Sequence, residues 1–380
     1  SLSSLYARLD PTKYFYPPNP TESLASIGGT VATNASGSRS YKFGVTRDYV
    51  LEADITFVDG NSITLKRGIS INDPLKIGED KEVCFPNINY KSPVCKNAAG
   101  YYIKPDMDWL DLFIGSDGTL GIFTRIRLKL EKSPSSFVSG IIFFKKEEDC
   151  WNFVSLIKNQ NIAFINPCSL EYFDRYSLNR LRKIFENIPH QAQSALFFEN
   201  DIYTQKDYNP TLEAWLDLLS KNNALEDSWL SQSTNDVKWF CDFRHSIPVL
   251  LNEENSRLKR TKIGTDMAVP DAHYMDMMNY YKKELSNTSI EYVVFGHLGD
   301  NHLHINFLPD KNEAKQAHEL YSRIVDQVLK WGGTVSAEHG IGKLKKKYFL
   351  QMLGEESIAE LKSIKQIFDP HFILGKGNLF

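Results

Sequence analysis

No stretch of this chain is long and apolar enough to span a bilayer. Apolar runs such as Phe137-Val138 and Ile141-Ile142-Phe143-Phe144 fall far short of a transmembrane helix, and none exceeds four residues. Nor is there an excess of charge: a formal net charge of −3 gives no electrostatic reason to expect nucleic acid or an anionic membrane surface as a partner. Cysteines are few, odd in number and scattered (Cys84, Cys95, Cys150, Cys168, Cys241), with no CxxC pair. That excludes a disulfide framework and an iron–sulfur centre held in tight spacing, and leads to the expectation of a reduced, cytoplasmic protein with structural thiols. No GxGxxG fingerprint follows a strand, and no internal repeat or low-complexity tract interrupts the chain. There is also no initiator methionine: the chain begins Ser1-Leu2-Ser3-Ser4, which reads as a processed or excised start.

What is present is an ordinary globular composition, 42% hydrophobic and 24% charged over 380 residues, too long for one typical core. Residues 1–25 are punctuated by Pro11, Pro17, Pro18 and Pro20 and read as extended. Ser26 to Gly37 is a run of small residues, either a cofactor-binding loop or a plain turn. Tyr49 to Lys66 alternates around Asp59-Gly60 and predicts a hairpin. Gly115 to Gly121 forms a second glycine-rich turn feeding a period-two strand, Ile122 to Leu130. Beyond Pro134, strands are expected at 138–144, 195–199, 291–295 and 303–307. Helices are expected at 147–158, 170–185, 211–221, 237–252, after Pro270, and at 314–330 ahead of Gly332-Gly333. Lys343, Lys345, Lys346 and Lys347 open a helical stretch or form a solvated face, and 356–368 is the last helix. The interleaving predicts an α+β protein with an antiparallel sheet.

Chemistry concentrates in two short segments. Gly296 to Asn306 carries His297, His302 and His304, and Thr334 to Gly342 carries Glu338 and His339. Period two puts His302, His304 and Asn306 on one strand face, while the Gly299-Asp300-Asn301 turn can fold His297 back towards them. Two imidazoles and a carboxylate make a metal site with open positions, catalytic in type. His339 diverges from Glu338, as adjacent side chains do, and is available for proton transfer. The plainer alternative is a set of ordinary hydrogen-bonded histidines.

Five motifs in order then carry a resemblance. They are Ile27-Gly28-Gly29-Thr30-Val31-Ala32-Thr33-Asn34-Ala35, Lys42 to Leu51, Gly115-Ser116-Asp117-Gly118-Thr119-Leu120-Gly121-Ile122, His297-x-Gly299-Asp300-x-x-x-His304, and Glu338-His339-Gly340-Ile341-Gly342. Together they resemble the FAD-linked D-2-hydroxyacid dehydrogenases of the vanillyl-alcohol-oxidase superfamily, from about Tyr14 to the C-terminus. The resemblance implies an α+β architecture: the second part of a split FAD-binding domain (1–133), an antiparallel, ferredoxin-like cap that holds substrate (134–332), and a C-terminal helical segment returning to the flavin (333–380). It implies FAD contacts at Ile27, Gly28, Gly29, Thr33, Asn34, Ala35, Gly37, Gly118, Gly121, Ile122 and Asn378. It implies a divalent metal on His297, His304 and Glu338, zinc first, with manganese or iron as alternatives. His339 takes the part of the base, and Arg244, Lys262 and Asn306 those of substrate contacts. His302 stands where the family has asparagine and is expected to add a ligand or a substrate contact.

The implied reaction is oxidation of a D-2-hydroxy acid to the 2-oxo acid, with the hydride going to flavin N5. The partners are a small 2-hydroxy acid and an electron acceptor that the sequence does not identify; a homodimer is compatible with it. Leu374-Gly375-Lys376-Gly377-Asn378 departs from the family's Leu-Asn-Pro-Gly-Lys ending, and the lobe carrying the first pyrophosphate loop is absent. The expectation is therefore a fragment of a larger flavoprotein that binds FAD weakly. A metal-dependent hydrolase on the same residues and a cofactor-free scaffold or subunit remain the alternatives.

Overall fold

The structure, a computed structural model, describes residues 1–78 and 81–380. They form two compact units. One comprises Ser1–Gly37, Gly44–Lys132 and Val328–Phe380; the other comprises Ser38–Phe43 and Ser133–Gln327. The expected mixture of helices and antiparallel sheet is what the chain adopts.

In the first unit the predicted hairpin is present, Val50–Thr56 against Ser62–Lys66, and Ile122–Leu128 pairs antiparallel on the other flank of Val50–Thr56. The central strand buries Val50, Ala53 and Ile55, because it alone is covered along both edges. The Ile122–Leu128 strand does not bury its apolar alternation as expected: Ile122 is 56% exposed, and only Ile126 and Leu128 on that face are half-buried. It lies at the sheet's edge, and its register shifts against its neighbour. The extended entry is also corrected. Leu2–Leu9 is a helix whose first turn is capped by the Ser1 hydroxyl accepting from the Ser4 amide; every proline falls after it, so none can break it. The small-residue run is likewise helical over Ile27–Thr33. The two helices expected near the end are both present within Lys346–Phe368, meeting at a kink where Gly354 leaves the helical conformation (φ 73°). Phe368 closes it by stacking on Phe57 and meeting Phe113 edge-on at ring distances of 5.6 and 5.1 Å.

The second unit is built on one antiparallel sheet. Its order runs Trp229–Leu230, Ser136–Phe144, Ser194–Ile202, Pro167–Asp174, Tyr292–His297, His302–Phe307 and Ile263–Gly264. The helix expected over 170–185 is half wrong. Pro167–Asp174 is a strand with every residue buried, and the helix is only Arg175–Leu181. A strand covered on both faces shows no period-two polarity, so its run of Leu, Tyr and Phe could not be told from a helical face. Asp174 ends the strand and caps the helix, its Oδ1 accepting from the Ser177 amide at 2.7 Å. One sheet face packs Phe143, Phe173 and Phe197 against Phe243 and Ile247 of the Thr234–Leu258 helix. On the other face, Phe198 stacks on Trp215 with ring centres 3.7 Å apart. The Ser38–Phe43 segment is anchored to the Ser194–Ile202 strand by two ion pairs. Arg39 grips Glu199 with two bonds of 3.0 Å, and Lys42 meets Asp201 at 2.6 Å.

Burial pushes the Asp174 carboxyl up to about 7. A raised carboxyl supplies stability that is complete below the unfolded-state value and is lost as pH rises through the folded one. Between pH ~4 and ~7 this residue should therefore remove on the order of 4 kcal/mol of unfolding free energy. Urea titrations across that range should show the slope in the native chain and its loss in Asp174→Asn, which keeps a capping side chain; an unchanged slope would refute the assignment.

Candidate functional site

Each unit carries its own part of the predicted constellation. In the second unit, the turn Leu298–Asp300 joins the two histidine-bearing strands, and Asn301 completes it in a left-handed conformation (φ 53°) suited to asparagine. The turn is held from two sides. The Lys158 ammonium donates to the Gly299 carbonyl at 2.8 Å, and the Ser40 hydroxyl donates to Asp300 at 2.5 Å. Gly299 also lies under the Tyr41 ring, where a Cβ would come within 2.7 Å of it. So held, the turn folds His297 back: ligand-capable nitrogens of His297, His302 and His304 lie within 4.8 Å of one another.

The histidine tautomers follow from their partners. His304 Nδ1 faces the Thr265 carbonyl at 3.0 Å, and His297 Nδ1 faces the Glu171 carboxylate at 2.6 Å. Both partners accept only, so both Nδ1 atoms carry the proton and both Nε2 atoms present a lone pair. This is the arrangement by which a carboxylate or carbonyl orients a metal-binding imidazole, and the donor set fits a divalent ion. His302 is fully buried, with Nε2 against Asp266 at 2.8 Å. Arg244 is not a surface cation: it is 9% exposed, bonds Glu171 through Nε at 3.3 Å, and meets His245 Nε2 at 2.7 Å. Burial, and then the Arg244 charge, lower the His245 pKa. Burial also lowers that of half-buried Lys262, whose ammonium lies 3.5 Å from Asn252 Oδ1. Asn306 is buried beside Gly264, its Nδ2 donating to the His304 carbonyl at 3.4 Å.

In the first unit the glycine-rich motifs converge. Ser26 caps the Ile27–Thr33 helix, its Oγ accepting from the Gly29 amide at 2.9 Å, and left-handed Asn34 ends it. Gly28 and Gly29 therefore lie in a helical first turn and not in an open loop, while Thr33 spends its hydroxyl on the Gly29 carbonyl. The Asn34 side chain accepts from the Arg47 amide, and the Ala35 amide returns to the Thr30 carbonyl. The carbonyls this helix end leaves over are met by the second glycine turn: Gly115 N–H bonds Val31 and Asp117 N–H bonds Ala32. The Asp117 carboxylate in turn accepts from the amides of Ile341 and Gly342, both at 2.9 Å, and Asn378 reaches its carbonyl at 3.5 Å. Gly118, Gly121 and Ile122 continue from this turn into the edge strand.

Glu338 is buried, and its Oε1 accepts three bonds: from the Ser36 hydroxyl and the Gly37 amide at 2.6 Å, and from the Lys96 ammonium at 2.7 Å. Gly37 is required there. At φ 123°, any Cβ would collide with the Asn19 carbonyl. The adjacent His339 is exposed.

With this geometry in place, the comparisons with known proteins can be read. Residues 133–379 match the family described as FAD linked oxidases, C-terminal domain, and residues 1–66 match an FAD binding domain. The chain belongs to the FAD-linked oxidases. The resemblance carried by the five motifs is thereby confirmed. Similar curated proteins include glycolate oxidase subunit GlcD of Bacillus subtilis, 28% identical, covering 96% of this chain and 70% of its own length. D-lactate dehydrogenase of Anaerostipes hadrus is 26% identical, covering 96% and 71%, and D-2-hydroxyglutarate dehydrogenase of Stutzerimonas stutzeri is 25% identical, covering 94% and 70%. Among solved structures, an alkyldihydroxyacetonephosphate synthase superposes with a TM-score of 0.63 at 15% identity, over 98% of this chain and 62% of that one, which speaks to the fold. Among the described residues, no helix of this FAD-linked oxidase is long and apolar enough to cross a membrane.

Sequence reasoning missed Lys96, Asp117, Glu171 and Asp266. Asp117 lies inside the second glycine-rich motif, and Asp266 sits four residues beyond Lys262 with no pattern to single it out. Glu171 was hidden by the mistaken helix. Lys96 gave no signal, being one lysine ahead of a loop. Since Lys96 is the buried counter-charge of Glu338, Lys96→Met should cost about 3 kcal/mol of unfolding free energy. Adding Glu338→Gln should recover part of that loss in a double-mutant cycle read by urea denaturation; strict additivity would show that the pair is not coupled.

Proposed function

We propose that this chain is the flavin-facing and substrate-facing portion of an FAD- and metal-dependent D-2-hydroxyacid dehydrogenase. In this reading residues 1–133 and 333–380 serve the flavin side, and 134–332 serve as the cap that holds the substrate. Support comes from the family, whose similar members bear the names of glycolate, D-lactate and D-2-hydroxyglutarate enzymes. The observation that carries the metal is the histidine pair oriented by Glu171 and Thr265, each ring turning an unprotonated Nε2 away from its partner.

FAD, when bound, accepts the substrate's hydride; the first-unit motifs from Ile27 to Gly37, with Gly118, Gly121, Ile122 and Asn378, are its proposed holders. His297, His304 and Glu338 are the proposed ligands of a divalent ion, zinc before manganese or iron, with His302 adding a further nitrogen or a substrate contact. Such an ion would polarise a 2-hydroxy acid through its hydroxyl and carboxylate. The protein's own part is to bind and move protons. Arg244 and Lys262 offer positive charge to the acid's carboxylate, and the lowered pKa of Lys262 marks the cost of burying that charge before an anion arrives. Asn306 offers an amide for orientation. His339, exposed and ordinary in its chain neighbours, takes the hydroxyl proton.

Two measurements test this reading. Metal analysis of the purified chain should find one divalent ion per chain, lost in His297→Ala and Glu338→Ala; unchanged metal in both variants would remove the ligand assignment. The protein should oxidise D-lactate, glycolate or D-2-hydroxyglutarate with a dye acceptor, and His339→Ala should lower kcat by about 10²-fold or more. No turnover of any of the three would favour a hydrolase or a non-catalytic subunit.

A further inference from the structure

A cavity of about 670 Å³ in the second unit lies away from the histidines. Strand alternation places it. His297 pairs with Glu171 on one sheet face, so Tyr172, Asp174, Tyr292 and Val294 point to the other, where the cavity opens. The Glu147–Asn159 and Tyr274–Ser286 helices supply its remaining walls through Trp151, Met278 and Tyr281. Its volume is in the range of small-molecule sites, and no residue assigned above to metal, flavin or substrate lines it.

Three buried polar atoms on its lining have no hydrogen-bond partner: Asp174 Oδ2, the Tyr281 hydroxyl and the Trp151 indole N–H, on residues each 2% exposed. A buried carboxylate oxygen left unmatched is costly, and burial already pushes this carboxyl up to about 7. Once ionised, this oxygen needs a donor, and a cationic one meets that need best. Glu147, whose pKa burial also raises, adds a second carboxylate, braced by the Tyr172 hydroxyl at 3.3 Å and with the Lys282 ammonium 3.8 Å away. Aromatic faces surround these acids. Tyr176 and Tyr292 meet edge-to-face at 4.8 Å, and Trp151 already carries the Lys282 ammonium 5.6 Å from its ring centre.

Apart from Lys282, which pairs with Glu147 and Glu148, the basic residues stand further out. Lys145, Lys146 and Arg175 are exposed at the mouth, while Asp174 is at the floor. A simple cation would be drawn by the floor and repelled at the mouth, and a simple anion the reverse. A molecule with an ammonium at one end and a carboxylate nearby satisfies both. We propose that this cavity binds a small zwitterion of the amino-acid class, its ammonium taken by Asp174 and Glu147, its carboxylate by the lysines and arginine at the mouth, and its apolar body by the tyrosines. The site is separate from the proposed chemistry and stands or falls independently of it.

The test is calorimetric titration of the whole chain with L-phenylalanine, and with its two halves, phenethylamine and 3-phenylpropionate. L-Phenylalanine should bind one per chain with a Kd below about 1 mM, and each half at least about tenfold more weakly. Asp174→Asn should weaken it by about tenfold or more, and Tyr281→Phe, which removes only a hydroxyl without a partner, by about threefold with no loss of Tm. Metal content should not change in either variant. No saturable heat with L-phenylalanine up to about 10 mM would overturn the proposal. So would 3-phenylpropionate binding as tightly as L-phenylalanine, or an unchanged Kd in both variants.

Discussion

A carboxylate taken out of water has to be met by donors, and the site-bearing parts of both units are arranged around carboxylates met in this way. Glu171 lies on a strand with both faces covered, and it takes the ring proton of His297 and the guanidinium of Arg244. Glu338 takes a hydroxyl, an amide and an ammonium on one oxygen. Asp117 takes two amides from the stretch that carries Glu338 and His339. In each case the acid is costly to bury without its partners, so the partners' positions are enforced by the same energy that folds the core. That is how glycine-rich turns, intrinsically loose, come to hold side chains at defined angles.

The histidine hairpin shows the same logic from the basic side. Its turn has little propensity to hold one shape beyond the left-handed asparagine, yet Lys158, Ser40 and the Tyr41 ring close on it from separate segments. Rigid placement of this kind lets imidazoles be oriented before any ion arrives, which reduces the ordering that binding must supply. Lys262 is the contrasting case: half-buried and with a pKa lowered by burial, it makes one long contact, to Asn252 Oδ1 at 3.5 Å.

Much of this was legible one residue at a time. The hairpin around Asp59-Gly60, most of the strands and helices beyond Pro134 and the helix ending at Gly332-Gly333 are written in local periodicity and turn chemistry, and they form as read. Misreadings fell where local pattern and burial part company. Pro167–Asp174 is covered on both faces and so carries no alternation. Ile122–Leu128 alternates but lies at an edge, and Ile27–Thr33 is helical despite its glycines because Ser26 and the Gly115–Asp117 turn satisfy its ends.

By itself, the sequence determined the family, the order of the motifs and the types of side chain available for chemistry, because those depend on residue identity and spacing alone. Only the tertiary structure decided the partners. Lys96 stands opposite Glu338 across 242 residues of chain, and Asp117 stands opposite Ile341 across 224. No local rule reaches over such separations, since what pairs a buried charge with its donor is the packing of the whole unit. The same holds for the Asp174 cavity. Its acids, tyrosines and lysines are unremarkable in the chain and become a site only where strand and helices leave space between them.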